Sequence, residues 1–92
     1  MRERVVENWL RRSVRGRGGL AVKLVPSVAG LPDRLVLLPG GRVVFVETKA
    51  PDGKVKFHQL NIHEFLRSLG FRVDVLSTLD EVNEWVAEVL PK

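Results

Sequence analysis

Residues 33–49 read DRLVLLPGGRVVFVETK, and this stretch decides the fold. Two apolar runs rich in β-formers, Leu35–Leu38 and Val43–Thr48, flank Pro39, Gly40 and Gly41, the residue types a tight hairpin needs. A three-residue loop of this kind usually joins a type I turn to a third residue in the left-handed region, which sets Leu38 opposite Arg42. Counting back along both antiparallel strands brings Asp33 opposite Glu47, and directly opposed residues point to one face of the sheet. Period-two alternation adds Lys49 to that face and turns Val44, Val46 and Thr48 to the other.

Two carboxylates about 5 Å apart across a strand pair repel unless a cation lies between them, and hard oxygen ligands suit Mg²⁺. The cluster of Asp33, Glu47 and Lys49 therefore points to a metal site. Taken singly, each residue has a plainer reading: Asp33 ends a loop, and Glu47 with Lys49 makes an edge-strand charge pair. Only the shared face raises the chemistry above that background.

Upstream of the hairpin, Val6, Trp9, Leu10, Ser13 and Val14 recur at helical spacing between Arg2 and about Arg17. That pattern predicts an amphipathic helix with Arg4, Arg11, Arg12 and Arg15 on its outer face. Glu3 and Glu7 lie at the edge of the buried stripe, within reach of the sheet. Leu20 to Val25 reads as a first strand, and Pro26 to Pro32 as a loop rich in Pro, Ser and Gly.

Downstream, the spacing predicts a helix over Phe57–Leu69 that faces inward through Leu60, His63 or Glu64, Phe65, Leu66 and Leu69, with Gly70 as its stop and no good side-chain cap at its start. Phe71–Leu76 alternates as a fourth strand, and Thr78 with Glu81 forms a capping box opening a last helix through about Leu90. His58 and His63 are about 140° apart on their helix and cannot share an ion, so both read as surface or boundary residues. The order is α-β-β-β-α-β-α in one α/β domain, residues 1–92.

The chain has 92 residues, 45% of them hydrophobic, which suits one modest core. Size alone favours a partner subunit that buries a further apolar face. With no cysteine and no apolar run long enough to cross a bilayer, the sequence predicts a cytoplasmic protein free of disulfides and membrane contacts. A net charge of +4 and a pI near 10.1 favour a polyanionic partner.

Gly30-Leu31-Pro32-Asp33, the hairpin, Glu47-Thr48-Lys49-Ala50-Pro51 and Gln59 at the next helix together resemble the VRR-NUC family of PD-(D/E)XK nucleases, in its stand-alone phage and bacterial form. The resemblance runs from Glu7 to the last helix. It implies a restriction-endonuclease-like PD-(D/E)XK core, a mixed sheet flanked by helices. It also implies a divalent ion, Mg²⁺ with Mn²⁺ as a substitute, held by Asp33, Glu47 and the carbonyl of Thr48. Glu7 would contribute from the first helix, with Glu3 as the less favoured substitute. Lys49 would sit near the attacking water and the phosphate, and Gln59 would share that neighbourhood. Departures are a short loop over Pro26–Gly30 and Lys56-Phe57-His58 where a capping residue is usual.

The activity implied is Mg²⁺-dependent endonuclease cleavage of branched DNA, by a homodimer resembling Holliday-junction resolvases. The competing readings are a monomeric flap or single-strand nuclease and a non-catalytic nucleic-acid-binding module. Arg4, Arg11, Arg12, Arg15, Arg17, Lys54 and Lys56 would contact phosphates by charge. On the last helix Val82, Trp85, Val86 and Val89 either form the dimer interface or cover the sheet.

Overall fold

The computed structural model describes residues 1–25 and 27–91. In chain order they form α1 (Glu3–Gly16), β1 (Leu20–Lys23), β2 (Arg34–Leu38), β3 (Arg42–Thr48), α2 (Phe57–Ser68), β4 (Arg72–Leu76) and α3 (Leu79–Val89). The strands lie in the order β1-β2-β3-β4. Neighbours are antiparallel except β3 and β4, which are parallel. A parallel pair needs a crossover, and α2 supplies it. The element order is the one the residues predict, and the mixed sheet is the one the family resemblance implies.

Leu38 pairs with Arg42 at the hairpin, in the predicted register. The turn itself differs from expectation. Gly40 has φ 81° and ψ 12°, the values of the third residue of a type II turn, and Gly41 also has positive φ. Pro39 followed by glycine favours that geometry, and loop length, which is unchanged, preserves the register.

One face of the sheet is closed. Val6, Leu10 and Val14 of α1 and Val82, Trp85, Val86 and Val89 of α3 pack on Ala21, Val36, Leu38, Val44 and Val46. Each fully buried side chain of this kind contributes about 1.5–3 kcal/mol. Trp85 Nε1 donates to Asp74 Oδ2 at 2.8 Å, and the predicted capping box of α3 forms, with Glu81 N–H donating to Thr78 Oγ1. The apolar stripe of α3 thus covers the sheet and is not free to form a dimer interface.

The other face carries only α2. Its inward side differs from the predicted one: His63 and Leu66 are buried, whereas Leu60, Phe65 and Leu69 are 46%, 60% and 57% exposed. His63 is therefore a core residue, not the surface or boundary residue expected. The loop that precedes Asp33 rests on the first turn of α2. At Gly30, with φ 91°, an added Cβ would lie 2.6 Å from the His58 carbonyl oxygen, so only glycine fits. Pro26, at the start of the predicted loop, lies outside the described residues. Among the described residues no helix is long and apolar enough to cross a membrane.

Candidate metal centre

β2 begins at Arg34, paired with Val46, while β3 runs on to Thr48. Beyond that last pair the Thr48 N–H has lost its strand partner, and the Asp33 side chain replaces it. Asp33 Oδ2 accepts from Thr48 N–H at 2.9 Å and from Thr48 Oγ1 at 2.8 Å. Two short bonds to one buried residue hold the carboxylate at the strand end.

Beside it stands Glu47, 1% exposed. Carboxylate oxygens of Glu3, Asp33 and Glu47 all lie within 4.8 Å of one another. Lys49 Nζ is 3.7 Å from Glu47 Oε2, the only cation facing the three acids at ion-pair distance among the described residues. Gln59 Nε2 lies 3.5 Å from the same oxygen. Its amide orientation is fixed from the other side, because Gln59 Oε1 accepts the Lys56 N–H at 2.9 Å. One residue thus caps α2 and turns a donor toward Glu47, supplying the cap that the residues before the helix lack.

His63 approaches Glu47 from below, with Nε2 3.6 Å from Oε1. Neither of these two buried atoms has a hydrogen-bond partner. Burial, and then the negative charge of Asp33, push the Glu47 carboxyl up to about 8. Burial, and then the positive charge of Arg67, hold the His63 imidazole below its ordinary value. Lys49 pulls the other way without offsetting burial and Asp33, so the environment of Glu47 invites a further cation.

The two acids of α1 have exchanged their predicted places. Glu3 joins the cluster, whereas Glu7 lies one turn further along and turns to the β1–β2 end of the sheet. There Glu7 Oε2 is 2.6 Å from Lys23 Nζ and accepts from Arg34, 3.0 Å from Nε and 2.9 Å from Nη2. The buried Arg34 guanidinium also donates to the Ala21 carbonyl. A carboxylate already held by two cations is poorly placed to serve a third. The physical cause is the docking height of α1, since Arg34 points to the helix-covered face and claims the nearest acid.

The donor set fits a hard divalent cation. It offers three carboxylates against one ammonium, with one carboxylate oxygen buried and unpartnered. Thr48 acts through its N–H and hydroxyl, which position Asp33. His63 is the member that sequence reasoning missed. Its spacing from Gln59 and Leu66, four and three residues, marks one helical face, and that signal was outweighed by the larger apolar residues nearby.

Arg4, Arg11, Arg12, Arg15, Arg17, Lys54 and Lys56 are all exposed. None of them is held in an ion pair among the described residues. Lys54 and Lys56 lie on the segment between Lys49 and Gln59, and Arg4 follows Glu3, so positive charge borders the acidic cluster.

The chain is 47% identical over 81 residues to "Putative nuclease p44" of Acyrthosiphon pisum secondary endosymbiont phage 1, covering 87% of each protein. A solved structure described as a VRR_NUC domain matches with a TM-score of 0.83 and 35% identity, over 91% of this chain and 92% of the other. No protein-family model matches the sequence.

Proposed function

The chain belongs to the VRR-NUC family, with its PD-(D/E)XK-like fold, and on that footing we propose a metal-dependent endonuclease that hydrolyses DNA phosphodiester bonds, acting on branched DNA as a homodimer of the Holliday-junction-resolvase kind. One observation carries the catalytic part. Glu3, Asp33 and Glu47 converge to within 4.8 Å with a single lysine beside them.

Glu3, Asp33 and Glu47 would hold the ion, Mg²⁺ by donor chemistry with Mn²⁺ as a substitute. When bound, it supplies Lewis-acid charge to the phosphodiester and to the 3′-oxygen that leaves. Asp33 keeps its orientation through Thr48, and Glu47 through Gln59. Lys49 offsets one of the three negative charges and directs its ammonium to where a phosphate and an attacking water would meet. Water adds at phosphorus, the P–O3′ bond breaks, and the 3′-oxygen takes up a proton. The exposed arginines and lysines hold the backbone by charge, so affinity falls with salt and carries little base preference.

Labelled four-way junction, flap, single-stranded and duplex DNA, each incubated with Mg²⁺, Mn²⁺ or EDTA, test this reading alongside Asp33→Ala and Lys49→Ala. Symmetric junction cleavage, lost in both variants and in EDTA, supports it. Cleavage confined to flaps or single strands replaces the resolvase part with a monomeric nuclease. DNA binding without cleavage under every metal condition leaves only a binding module.

A further inference from the structure

Helical spacing sets Trp9 and Ser13 in the apolar stripe of α1, but only Val6, Leu10 and Val14 are buried there. Trp9 stays 37% exposed. It lines a groove of about 380 Å³ between α1 and α3, together with Arg12, Ser13, Gly16, Arg17 and Asn83. That is the size of a small-ligand cleft. By helix rise the groove begins about 9 Å beyond Glu3 and ends about 20 Å beyond it, outside the metal centre.

Three features of this groove go beyond what packing α1 on α3 requires. The first is a fixed indole. Trp9 Nε1 donates to Asn83 Oδ1 at 2.8 Å, which holds its polar edge against α3 while much of the residue stays open to solvent. The second is charge. Arg12 and Arg17 bring two guanidinium groups, and no acid lines the groove among the described residues. Arg17 is itself anchored, its Nη1 donating to the Leu90 carbonyl at 3.0 Å. The third is Gly16. It closes α1 without a positive φ, which Gly18 supplies, and an added Cβ would meet nothing within 4 Å. Glycine weakens a helix, and neither backbone nor neighbours require it at this position. Trp9, Ser13 and Gly16 lie within about 60° on α1, so a side chain at 16 would enter the groove. Its absence leaves the groove open.

An aromatic face beside two cations without acid partners is the chemistry that takes a nucleobase and its phosphates together. We propose that the α1–α3 groove binds an unpaired DNA strand, with a base stacked on the Trp9 indole and the flanking phosphates on Arg12 and Arg17. Bases in a duplex hide their faces against their neighbours, so only an unpaired nucleotide offers one to the indole. An acidic peptide would satisfy the arginines and leave the indole unused. A free nucleotide is held by enclosure, whereas Trp9, Gly16 and Arg17 are all exposed, as suits a strand that runs on past the groove. The choice of DNA as the strand rests on the nuclease reading above; the stacking site involves none of the three carboxylates.

Titration of the protein with a short oligothymidylate in EDTA, followed by tryptophan fluorescence, tests this without any cleavage. The strand should quench Trp9, the exposed one of the two tryptophans, Trp85 being buried, and a duplex of equal length should not. An abasic strand of the same length and charge should bind at least about 10-fold more weakly, as should oligothymidylate to Trp9→Ala and to Gly16→Leu. Trp9→Phe, which keeps an aromatic face, should restore most of the affinity. Gly16→Leu should melt no lower than wild type, which separates a blocked groove from a damaged fold. Arg12→Ala should lower the salt dependence by about one phosphate contact. Equal binding of the abasic strand, or full affinity in Gly16→Leu, overturns the proposal. So does quenching by thymidine monophosphate at lower concentration than by the strand. Quenching with no cleavage of any DNA in Mg²⁺ counts against the nuclease reading alone, and cleavage without quenching counts against the groove alone.

Discussion

Two charged clusters sit at the ends of one helix turn. Around Glu7 the protein places two cations, Lys23 and Arg34, against one carboxylate. Around Glu3 it places three carboxylates against one cation, Lys49. The first is complete in the folded chain and serves the fold. The second is deficient in positive charge, and a deficit kept at a cost in stability marks a site that waits for something from solution. Residue type does not separate Glu3 from Glu7; their surroundings do.

The sharpest test of this contrast is Glu47→Gln. Cleavage should fall by a factor on the order of 1,000 or more, read as product formed per enzyme with Mg²⁺, because a charged ligand at the reacting phosphate is lost. The metal-free protein should melt no lower than wild type, since the amide removes the cost of burying an ionisable carboxyl beside Asp33. A variant that both melted early and kept its activity would make Glu47 structural and erase the contrast.

The pH dependence follows next in size. The folded Glu47 carboxyl sits at about 8, above its unfolded value of 4.5, so the metal-free native state holds a proton that the unfolded chain releases. Its contribution to stability is full at pH below 4.5 and is lost as pH rises through 8. Metal must displace that proton, so apparent affinity should climb about tenfold per pH unit toward pH 8 and then level. Calorimetric titration in buffers of different ionisation heat reads the proton released, and a pH-independent affinity would sink the assignment.

At the completed cluster, Arg34→Ala should cost about 3 kcal/mol, seen in urea denaturation, because it leaves Glu7 with the exposed Lys23 alone and the Ala21 carbonyl without its donor. Metal affinity measured in the folded protein should change little. Loss of metal binding at unchanged stability would mean that the two clusters are one.

The smallest effect distinguishes the two helix acids directly. Glu3→Gln should weaken metal binding roughly tenfold with no loss of stability. Glu7→Gln should do the reverse, lowering stability by about 1 kcal/mol and leaving affinity alone. If Glu7→Gln weakened metal binding more than Glu3→Gln, the helix ligand would be Glu7, as the family resemblance suggested.

Much of this was legible in the residues. Pro39, Gly40 and Gly41 permit one loop length, and loop length alone sets Leu38 against Arg42 and so Asp33 against Glu47. Even an incorrect turn type left that register intact. Thr78 and Glu81 likewise announced the start of α3. These are local constraints, settled within a few bonds of the residues that express them. The resemblance to VRR-NUC nucleases rested on the same residues, and Lys49 and Gln59 stand beside Glu47 as it implied.

Other features depended on how elements dock. Periodicity defines the faces of α1 but not its height over the sheet, and one turn of height decides whether Glu3 or Glu7 meets Asp33. Apolar content pointed Leu60, Phe65 and Leu69 of α2 inward, yet the helix buries His63 and Leu66 against β4 and the site. By itself, then, the sequence determined the elements, the hairpin register and the pair Asp33–Glu47, because neighbouring residues enforce them. Tertiary structure alone decided the third carboxylate, the buried histidine and the open groove between α1 and α3, because each depends on the separation of surfaces that no local spacing fixes.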